Sequence, residues 1–157
     1  AMRAADQEIT LDVESTVNDA GVLADFDRIE QVLGNLVDNA FRHTPRGGSI
    51  TIGARRAPAG MIEMFVRDSG AGIAPEDLPR VFERFYRSNG EVSGSGSGLG
   101  LAIAREIVRA HGGEMRVESK AGVGTSFAFT LPAAPAARRT THSALPDAAR
   151  DAARAET

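Results

Sequence analysis

The sequence predicts a two-layer α/β sandwich, in which helices cover one face of a mixed β-sheet. Apolar and polar residues alternate in several short runs, which is the period of a half-buried strand. Two longer segments follow the 3.6-residue period of an amphipathic helix and interrupt these runs along the chain. The chain has 157 residues, of which 42% are hydrophobic and 25% charged, as expected for one globular domain.

The first half of the chain is predicted to form strands around one long helix. Strand-like runs cover residues 9–13, 22–23, 49–53 and 61–67. The first run would place Ile9, Leu11 and Val13 on one half-buried face. Helical spacing covers residues 27–44, with Asp25 or Asp27 as the capping residue and a break at Pro45.

The second half is predicted to contain two helices, a loop between them and a β-hairpin. A first helical turn at 75–77 would lead into an apolar side made of Leu78, Val81, Phe82 and Phe85. Residues 88–98 are rich in Ser and Gly and predict a mobile loop. The second helix covers 99–110, with Ile103, Ile107 and Val108 as its apolar side. The hairpin covers 115–117 and 125–131.

Residues 133–157 are dominated by Ala, Pro and Arg and lack the apolar residues that a core requires. We therefore predict one domain over residues 1–132, followed by a disordered tail over 133–157.

Composition excludes several classes of function. A net charge of −3 argues against nucleic acid as the main partner. The absence of cysteine excludes disulfides and thiolate metal sites and suits a reducing compartment. No stretch approaches the roughly 20 apolar residues of a membrane span. The expectation is a cytoplasmic domain.

The 27–44 helix carries an unusual polar stripe opposite its apolar face. The stripe consists of Gln31, Asn35, Asn39 and Arg42, with His43 beside it. Asparagine is a poor helix former, so two of them one turn apart need a reason, and a solvated face is the simplest alternative. An amide oxygen suits Mg²⁺ and the basic residues suit phosphate.

Two glycine-rich segments follow. Asp68-Ser69-Gly70-Ala71-Gly72 comes directly after an apolar strand, where an Asp carboxylate can accept a hydrogen bond from an exocyclic amine such as that of adenine. An ordinary Asx turn is the alternative. Alternating glycines at 94–100 lead straight into the second helix, whose positive end favours phosphate, although a flexible linker is a competing interpretation.

These segments, in this order, resemble the catalytic ATP-binding domain of bacterial sensor histidine kinases over residues 9–131. Five stretches carry the resemblance. They are Asn35–Ala40 (like the N box), Asp68–Gly72 (G1 box), Phe82–Arg87 (F box), Gly96–Leu101 (G2 box) and Gly122–Thr125 (the later glycine motif). The resemblance implies the Bergerat fold that gyrase and heat-shock chaperone ATPases share.

The resemblance also implies a set of ligands for ATP and Mg²⁺. Asn39 would ligate Mg²⁺, Asn35 would support the phosphate or metal contacts, and Asp68 would bind the adenine amine. Phosphate contacts would come from Arg42, His43, Arg84 and Arg87, although Arg84 or Arg87 could instead form a salt bridge that positions the loop. The remaining nucleotide-binding residues would be Gly70, Gly72, Gly96, Gly98, Leu99, Gly100, Leu101 and Thr125.

The implied activity is phosphoryl transfer rather than hydrolysis. Hydrolytic relatives carry a Glu one helical turn before the magnesium Asn, and this position is Asn35, which cannot act as a base. Glu30 lies about 180° round the helix from Asn39 and is badly placed to substitute. The same substitution disfavours a gyrase- or chaperone-like ATPase and an anti-sigma-factor serine kinase. A binding module with a degenerate ATP site is a further alternative.

The phosphate acceptor is not found in this chain. The chain has three histidines, His43, His111 and His142, and none lies in an acceptor motif. We therefore expect a catalytic domain that phosphorylates a histidine on a dimerisation segment of the same kinase, for relay to a response regulator. The domain alone is expected to be monomeric, and the parent protein to be a membrane-anchored sensor.

Overall fold

The computed structural model describes residues 8–87 and 97–135. Most of the predicted loop, including Gly96, and the predicted tail beyond residue 135 lie outside the described residues. The strands are β1 (Thr10–Ser15), β2 (Ser49–Ala57), β3 (Met61–Asp68), β4 (Met115–Lys120) and β5 (Gly124–Pro132). The helices are α1 (Phe26–His43) and α2 (Gly100–Ala110), and two single 3₁₀ turns occupy Pro58–Gly60 and Leu78–Arg80.

The sheet is mixed, with strand order β1-β2-β3-β5-β4. β1 runs parallel to β2, and all other neighbouring strands are antiparallel. The two helices pack against each other and cover one face of this sheet, which confirms the predicted two-layer sandwich. No helix in the described part of the chain is both long and apolar enough to cross a membrane.

The core lies between the helices and the sheet. Its fully buried side chains come from both layers, since α1 contributes Val32 and Leu36, α2 contributes Val108, and the sheet contributes Ile50, Val66, Phe127, Phe129 and Leu131. Burial of this apolar surface is the main term that holds the helices on the sheet.

Helix α1 begins one residue earlier than predicted. Asp25 is its capping residue, because the Asp25 carboxylate accepts a hydrogen bond from the Arg28 backbone N–H at 3.2 Å. The last turn ends at Thr44, whose hydroxyl donates to the Ala40 carbonyl at 2.6 Å. The Thr44 backbone N–H bonds the same carbonyl at 3.0 Å, so both groups of this residue close the helix.

The prediction of a half-buried first strand is wrong for two of its three apolar residues. Ile9 is buried, but Leu11 and Val13 are 44% and 77% exposed. β1 is the edge strand, and the helices contact the sheet mainly over its inner strands, so alternation here does not lead to burial. The run at 22–23 forms only an isolated bridge between Val22 and Ala133.

The predicted helix after residue 75 is also wrong. The chain makes successive turns closed by hydrogen bonds three residues apart, such as Arg80 N–H to Asp77 O and Glu83 N–H to Arg80 O. Pro79 has no N–H to donate and disfavours helical geometry at Leu78. Phe85, expected on the apolar side, is 72% exposed. On α2, Ile103 is likewise 39% exposed, and Ala104 takes the buried position.

Candidate functional site

A cavity of about 240 Å³ opens between the polar stripe of α1, the start of α2 and the loop that follows β3. Its lining combines polar groups from α1 and the strand ends with apolar side chains from the turns and β5. The lining residues are Asn35, Asn39, Arg42, His43, Asp68, Gly72, Ile73, Val81, Tyr86, Arg87, Ser97, Gly98, Gly100, Leu101, Thr125 and Phe127.

Asn35 joins the two helices at this cavity. Its side-chain amide donates a hydrogen bond to the Gly100 carbonyl at 3.0 Å, across 65 residues of sequence. Asn39 lies one turn further along α1 and lines the same cavity. Asn35 and Asn39 are therefore half-buried, and the alternative of a plainly solvated face does not hold for these two residues, whereas Gln31 and Arg42 of the stripe are exposed.

Asp68 is the last residue of β3 and is only 5% exposed. Its carboxylate accepts a hydrogen bond from the Gly70 backbone N–H at 2.8 Å. Burial raises the pKa of the Asp68 carboxyl above its ordinary value, and this shift is opposed by the Gly70 and Thr125 backbone N–H groups and by nearby His43. Because a carboxylate offers several lone pairs, one remains for a donor that enters the cavity.

The loop after Asp68 needs glycine at two positions for different reasons. A side chain at Gly70 would place its first carbon 2.3 Å from the His43 carbonyl oxygen, so close packing excludes one. Gly72 has a φ of +75°, and a side chain there would meet the Lys120 carbonyl oxygen at 2.3 Å. The loop thus lies directly against the end of α1 and the β4–β5 hairpin.

Hydrogen bonds from that hairpin hold the loop. Ser119 accepts from the Ile73 backbone N–H at 2.8 Å, and its hydroxyl also bonds the Gly124 carbonyl at 3.0 Å and the Thr125 hydroxyl at 2.8 Å. Gly122 N–H donates to the Ala71 carbonyl at 2.7 Å. These bonds explain why Thr125 reaches the cavity beside Asp68.

The turns at 78–87 close the cavity on the side away from α1. Tyr86 donates its hydroxyl hydrogen bond to the Asp77 carboxylate, which raises the pKa of the tyrosine, and the Arg80 guanidinium lies 4.3 Å from the ring centroid. Phe82 packs edge-on against Phe127 with ring centroids 6.0 Å apart. The turns are also held by a hydrogen bond from the Phe85 N–H to the Gly98 carbonyl at 2.8 Å and by the Arg105 guanidinium, 5.3 Å from the Phe82 ring centroid.

The structure brings together most of the residues that the sequence singled out. Those that line the cavity are Asn35, Asn39, Arg42, His43, Asp68, Gly72, Arg87, Gly98, Gly100, Leu101 and Thr125. Gly70 and Leu99 do not line it but shape its walls through the backbone. Arg84 lies elsewhere, in a shallow surface cleft with Asp77, Arg80 and Glu83. Gly96 is outside the described residues.

Sequence reasoning missed five residues of the lining, which are Ile73, Val81, Tyr86, Ser97 and Phe127. Val81 and Phe127 belong to apolar patterns that predict core positions, and no local signal separates a residue that packs in the core from one that also lines a cavity. Tyr86 is part of the quoted Phe82–Arg87 stretch, but its contact with Asp77 depends on the fold of the turns.

The donor set fits a magnesium ion that takes most of its ligands from a bound nucleotide and from water. The described residues contain no group of three or more His, Cys, Asp or Glu side chains that could hold a metal. The Asn39 amide oxygen is a hard, neutral donor, and Mg²⁺ keeps several waters and takes its other ligands from phosphates. One protein oxygen is therefore compatible with a metal that arrives with a nucleotide.

Comparison with known proteins gives the class of this fold and site. A model of the histidine kinase-, DNA gyrase B- and HSP90-like ATPases matches residues 24–135. The chain therefore belongs to this ATPase family. Within the family it is an ATP-binding catalytic domain of the sensor histidine kinase type, as its relatives show.

The chain is 46% identical over 131 residues to the sensor-like histidine kinase SenX3 of Mycobacterium tuberculosis. It is 38% identical over 130 residues to the adaptive-response sensory kinase SasA of Synechococcus elongatus. These alignments cover 82% and 83% of this chain but 31% and 33% of the relatives, so the chain spans about a third of their length.

Two solved structures have a similar fold. The mycobacterial sensor histidine kinase MprB matches with a TM-score of 0.75 and 33% identity, over 85% of this chain and 90% of that one. Full-length ShkA in complex with AMPPNP matches with a TM-score of 0.75 and 34% identity, over 87% of this chain and 28% of that one. The predicted Bergerat fold is confirmed.

Proposed function

We propose that this domain binds Mg-ATP in the cavity and donates the γ-phosphoryl group to a histidine on a dimerisation segment of the same kinase. The observation that carries the proposal is the convergence of a buried carboxylate, Asp68, and two helix amides, Asn35 and Asn39, on one cavity. The lining also includes Arg42, His43 and Arg87, the start of α2, and apolar side chains such as Ile73 and Phe127.

Asp68 suits the adenine end of the nucleotide. Its carboxylate is buried, is held by the Gly70 N–H and keeps acceptor capacity toward the cavity. Gly72 leaves room beside it, and Ile73 gives an apolar wall for a flat ring. A buried acceptor discriminates strongly, because a base without the matching N–H₂ donor leaves the acceptor unpaired.

The cavity also contains groups that suit the phosphates. Arg42, His43 and Arg87 line it, and cationic or N–H donors are the groups that bind phosphate oxygens. Helix α2 begins here, and its first residues Gly100 and Leu101 line the cavity, so the positive end of the helix faces it. Asn39 would hold Mg²⁺, which neutralises phosphate charge when bound.

The cavity lining favours phosphoryl transfer over hydrolysis. Asn35 stands one turn before Asn39 and uses its amide to bond the Gly100 carbonyl, so this side chain cannot deprotonate water. Glu30 is exposed, on the other side of α1. Catalysis by this domain would consist of orienting ATP and stabilising its charge toward an acceptor supplied from outside the chain.

The same proposal includes three features outside this chain. They are the acceptor segment, a response regulator that receives the phosphoryl group, and a membrane-anchored parent protein that holds this domain in the cytoplasm. Their support is that sensor kinases such as SenX3 are about three times as long as the chain. We further propose that the domain alone is monomeric and that residues 133–157 are a tail. The backbone N–H groups of Ala133 and Ala134 donate to the Gly60 and Gly21 carbonyls, so these two residues of the proposed tail contact the domain.

Calorimetric titration with AMPPNP, with and without Mg²⁺, tests the binding step. Asn39→Ala should weaken binding in the presence of Mg²⁺ and have a smaller effect in its absence. Glu30→Gln, an exposed change on the same helix, is the matched control and should bind like wild type. If Asn39→Ala binds Mg-nucleotide as tightly as the control, the metal assignment is wrong.

Transfer is tested by adding a separately prepared histidine-bearing dimerisation segment of a relative, together with radiolabelled ATP. The proposal expects label on that segment and little free phosphate. Rapid hydrolysis by the chain alone would indicate an ATPase. Failure of wild type to bind any adenine nucleotide would instead support a degenerate binding module.

A further inference from the structure

The His111 ring bridges the two helices at the end of the domain away from the cavity. His111 follows the last residue of α2, and its Nδ1 lies 2.7 Å from the Ile107 carbonyl oxygen. Its Nε2 accepts a hydrogen bond at 3.2 Å from the backbone N–H of Asp25, the capping residue of α1. The imidazole is therefore bonded to backbone on both helices.

The chemistry of these partners defines the state of the ring. A carbonyl oxygen only accepts, so Nδ1 carries the hydrogen, and a backbone amide only donates, so Nε2 carries a lone pair. The ring is the neutral Nδ1–H tautomer. A side chain that lacks an acceptor at the Nε2 position cannot make the bond to Asp25.

A second polar bond joins the same helices at the cavity, where Asn35 donates to the Gly100 carbonyl. The helices are antiparallel, since the start of α2 meets the middle of α1 and the end of α2 meets its start. Asp25 and Asn35 are roughly 15 Å apart along α1, and Gly100 and His111 roughly 16 Å apart along α2, at 1.5 Å per residue. The separation of the two bonds is therefore nearly the same along both helices.

Between these two bonds the helices contact the core through apolar residues, among them Val32, Ala104 and Val108. Close-packed apolar side chains already limit how the helices slide, and a hydrogen bond to a fixed backbone group adds a directional constraint that specifies one position. The lengthwise position of α2 matters at the cavity, because Gly100 and Leu101 line it opposite Asn39.

We propose that His111 is a positioning residue for the nucleotide site, because its bond to Asp25 sets the lengthwise position of α2 against α1. This inference rests on the proposed function, since it concerns the geometry of the same cavity. His111 does not touch the cavity and acts through α2.

Two substitutions in the full 157-residue chain separate this role from general stability. In His111→Gln the side-chain oxygen reaches the Nε2 position and restores the acceptor for Asp25. In His111→Asn the shorter side chain reaches only the Nδ1 position and leaves Asp25 unbonded. Ile62→Val, a buried change in β3 and outside both helices, serves as a control for modest destabilisation.

AMPPNP affinity with Mg²⁺ is measured at a temperature where urea titration shows every variant to be folded. His111→Asn should bind roughly fivefold more weakly, the factor expected from losing one neutral hydrogen bond, whereas His111→Gln and Ile62→Val should stay within about twofold of wild type. Equal affinity in His111→Asn and wild type, or equal loss in His111→Asn and His111→Gln, would overturn the inference.

An NMR readout keeps the test independent of the proposed function. In His111→Asn the side-chain amide signal of Asn35 should shift and the backbone amide of Asp25 should exchange faster, and His111→Gln should reverse both changes. If wild type binds no nucleotide, the proposed function fails. The NMR signals still show whether the His111–Asp25 bond affects the position of Asn35. An unmoved Asn35 signal in His111→Asn would refute the coupling even if nucleotide binds.

Discussion

The substitution Asp68→Asn probes the adenine end of the site with almost no change in shape. The carboxylate accepts from the Gly70 N–H at 2.8 Å and interacts with the Thr125 N–H, which leaves acceptor capacity toward the cavity. Asparagine keeps one oxygen for Gly70 but replaces the other with an N–H₂ donor. That donor would face the donating amine of adenine.

The size of the effect follows from the bond that is lost. A hydrogen bond to a buried charged group contributes about 1.5–3 kcal/mol, so the affinity for AMPPNP should fall about 10- to 150-fold. Stability should stay within about 1 kcal/mol of wild type, because the bond to Gly70 survives. Isothermal titration calorimetry and urea unfolding measure the two quantities. Asp12→Asn, on exposed β1, is the matched control.

The pH dependence gives a second test, because stability and nucleotide affinity should respond to acid in opposite directions. Burial raises the pKa of Asp68 above 3.8, so the folded chain holds this proton more tightly than the unfolded chain. Its contribution to stability is full below 3.8 and is lost as pH rises through the folded-state pKa. Nucleotide affinity should change the other way, falling as acid protonates the acceptor, and this acid loss should vanish in Asp68→Asn. An Asp68→Asn variant that binds AMPPNP like wild type would refute the assignment.

Three further perturbations follow from the structure. Gly70→Ala would push a methyl group against the His43 carbonyl oxygen, 2.3 Å away, and should weaken AMPPNP binding about tenfold or more with a lower unfolding midpoint; calorimetry showing normal affinity would contradict the close approach. Leu36→Ala, in a fully buried position of α1, should cost about 2–5 kcal/mol in urea unfolding, and a loss below about 1 kcal/mol would show that the core is not packed as described. Glu63→Gln removes the carboxylate charge that Arg55 and Arg116 (at 2.8 Å) contact on the sheet face away from the helices. The free energy of unfolding should fall by about 1–3 kcal/mol, and AMPPNP affinity should not change. A change in affinity would contradict the separation of the two sheet faces.

Local patterns in the sequence were sufficient for the parts of the site that lie on one element. The 3.6-residue period places Asn35 and Asn39 on a common face of α1 whatever the rest of the fold does. The glycines at 70 and 72 similarly indicate a loop with no room for side chains directly after a strand. These predictions needed no contact between distant segments.

Predictions failed where a neighbour distant in sequence decides the outcome. The alternation at Leu11 and Val13 is real, but their exposure depends on β1 being an edge strand that the helices do not cover. One failure had a local cause instead, because at 75–85 the apolar spacing is helical but Pro79 breaks the hydrogen-bond pattern, and Phe85 is exposed. The period of the hydrophobic residues indicates which side chains can share one face of an element. It does not indicate whether another element packs on that face.

The sequence by itself determined helices α1 and α2, most of the strands, the polar stripe of α1 and the motifs that resemble sensor kinase domains, because these depend on residues near one another in the chain. Only the tertiary structure decided how the elements meet. It showed that the Asn35 amide is engaged by the Gly100 carbonyl, that Arg84 lies away from the cavity, and that His111 bonds Asp25 from 86 residues away. Such contacts arise when non-local packing brings ends of different helices together, and no local periodicity encodes them.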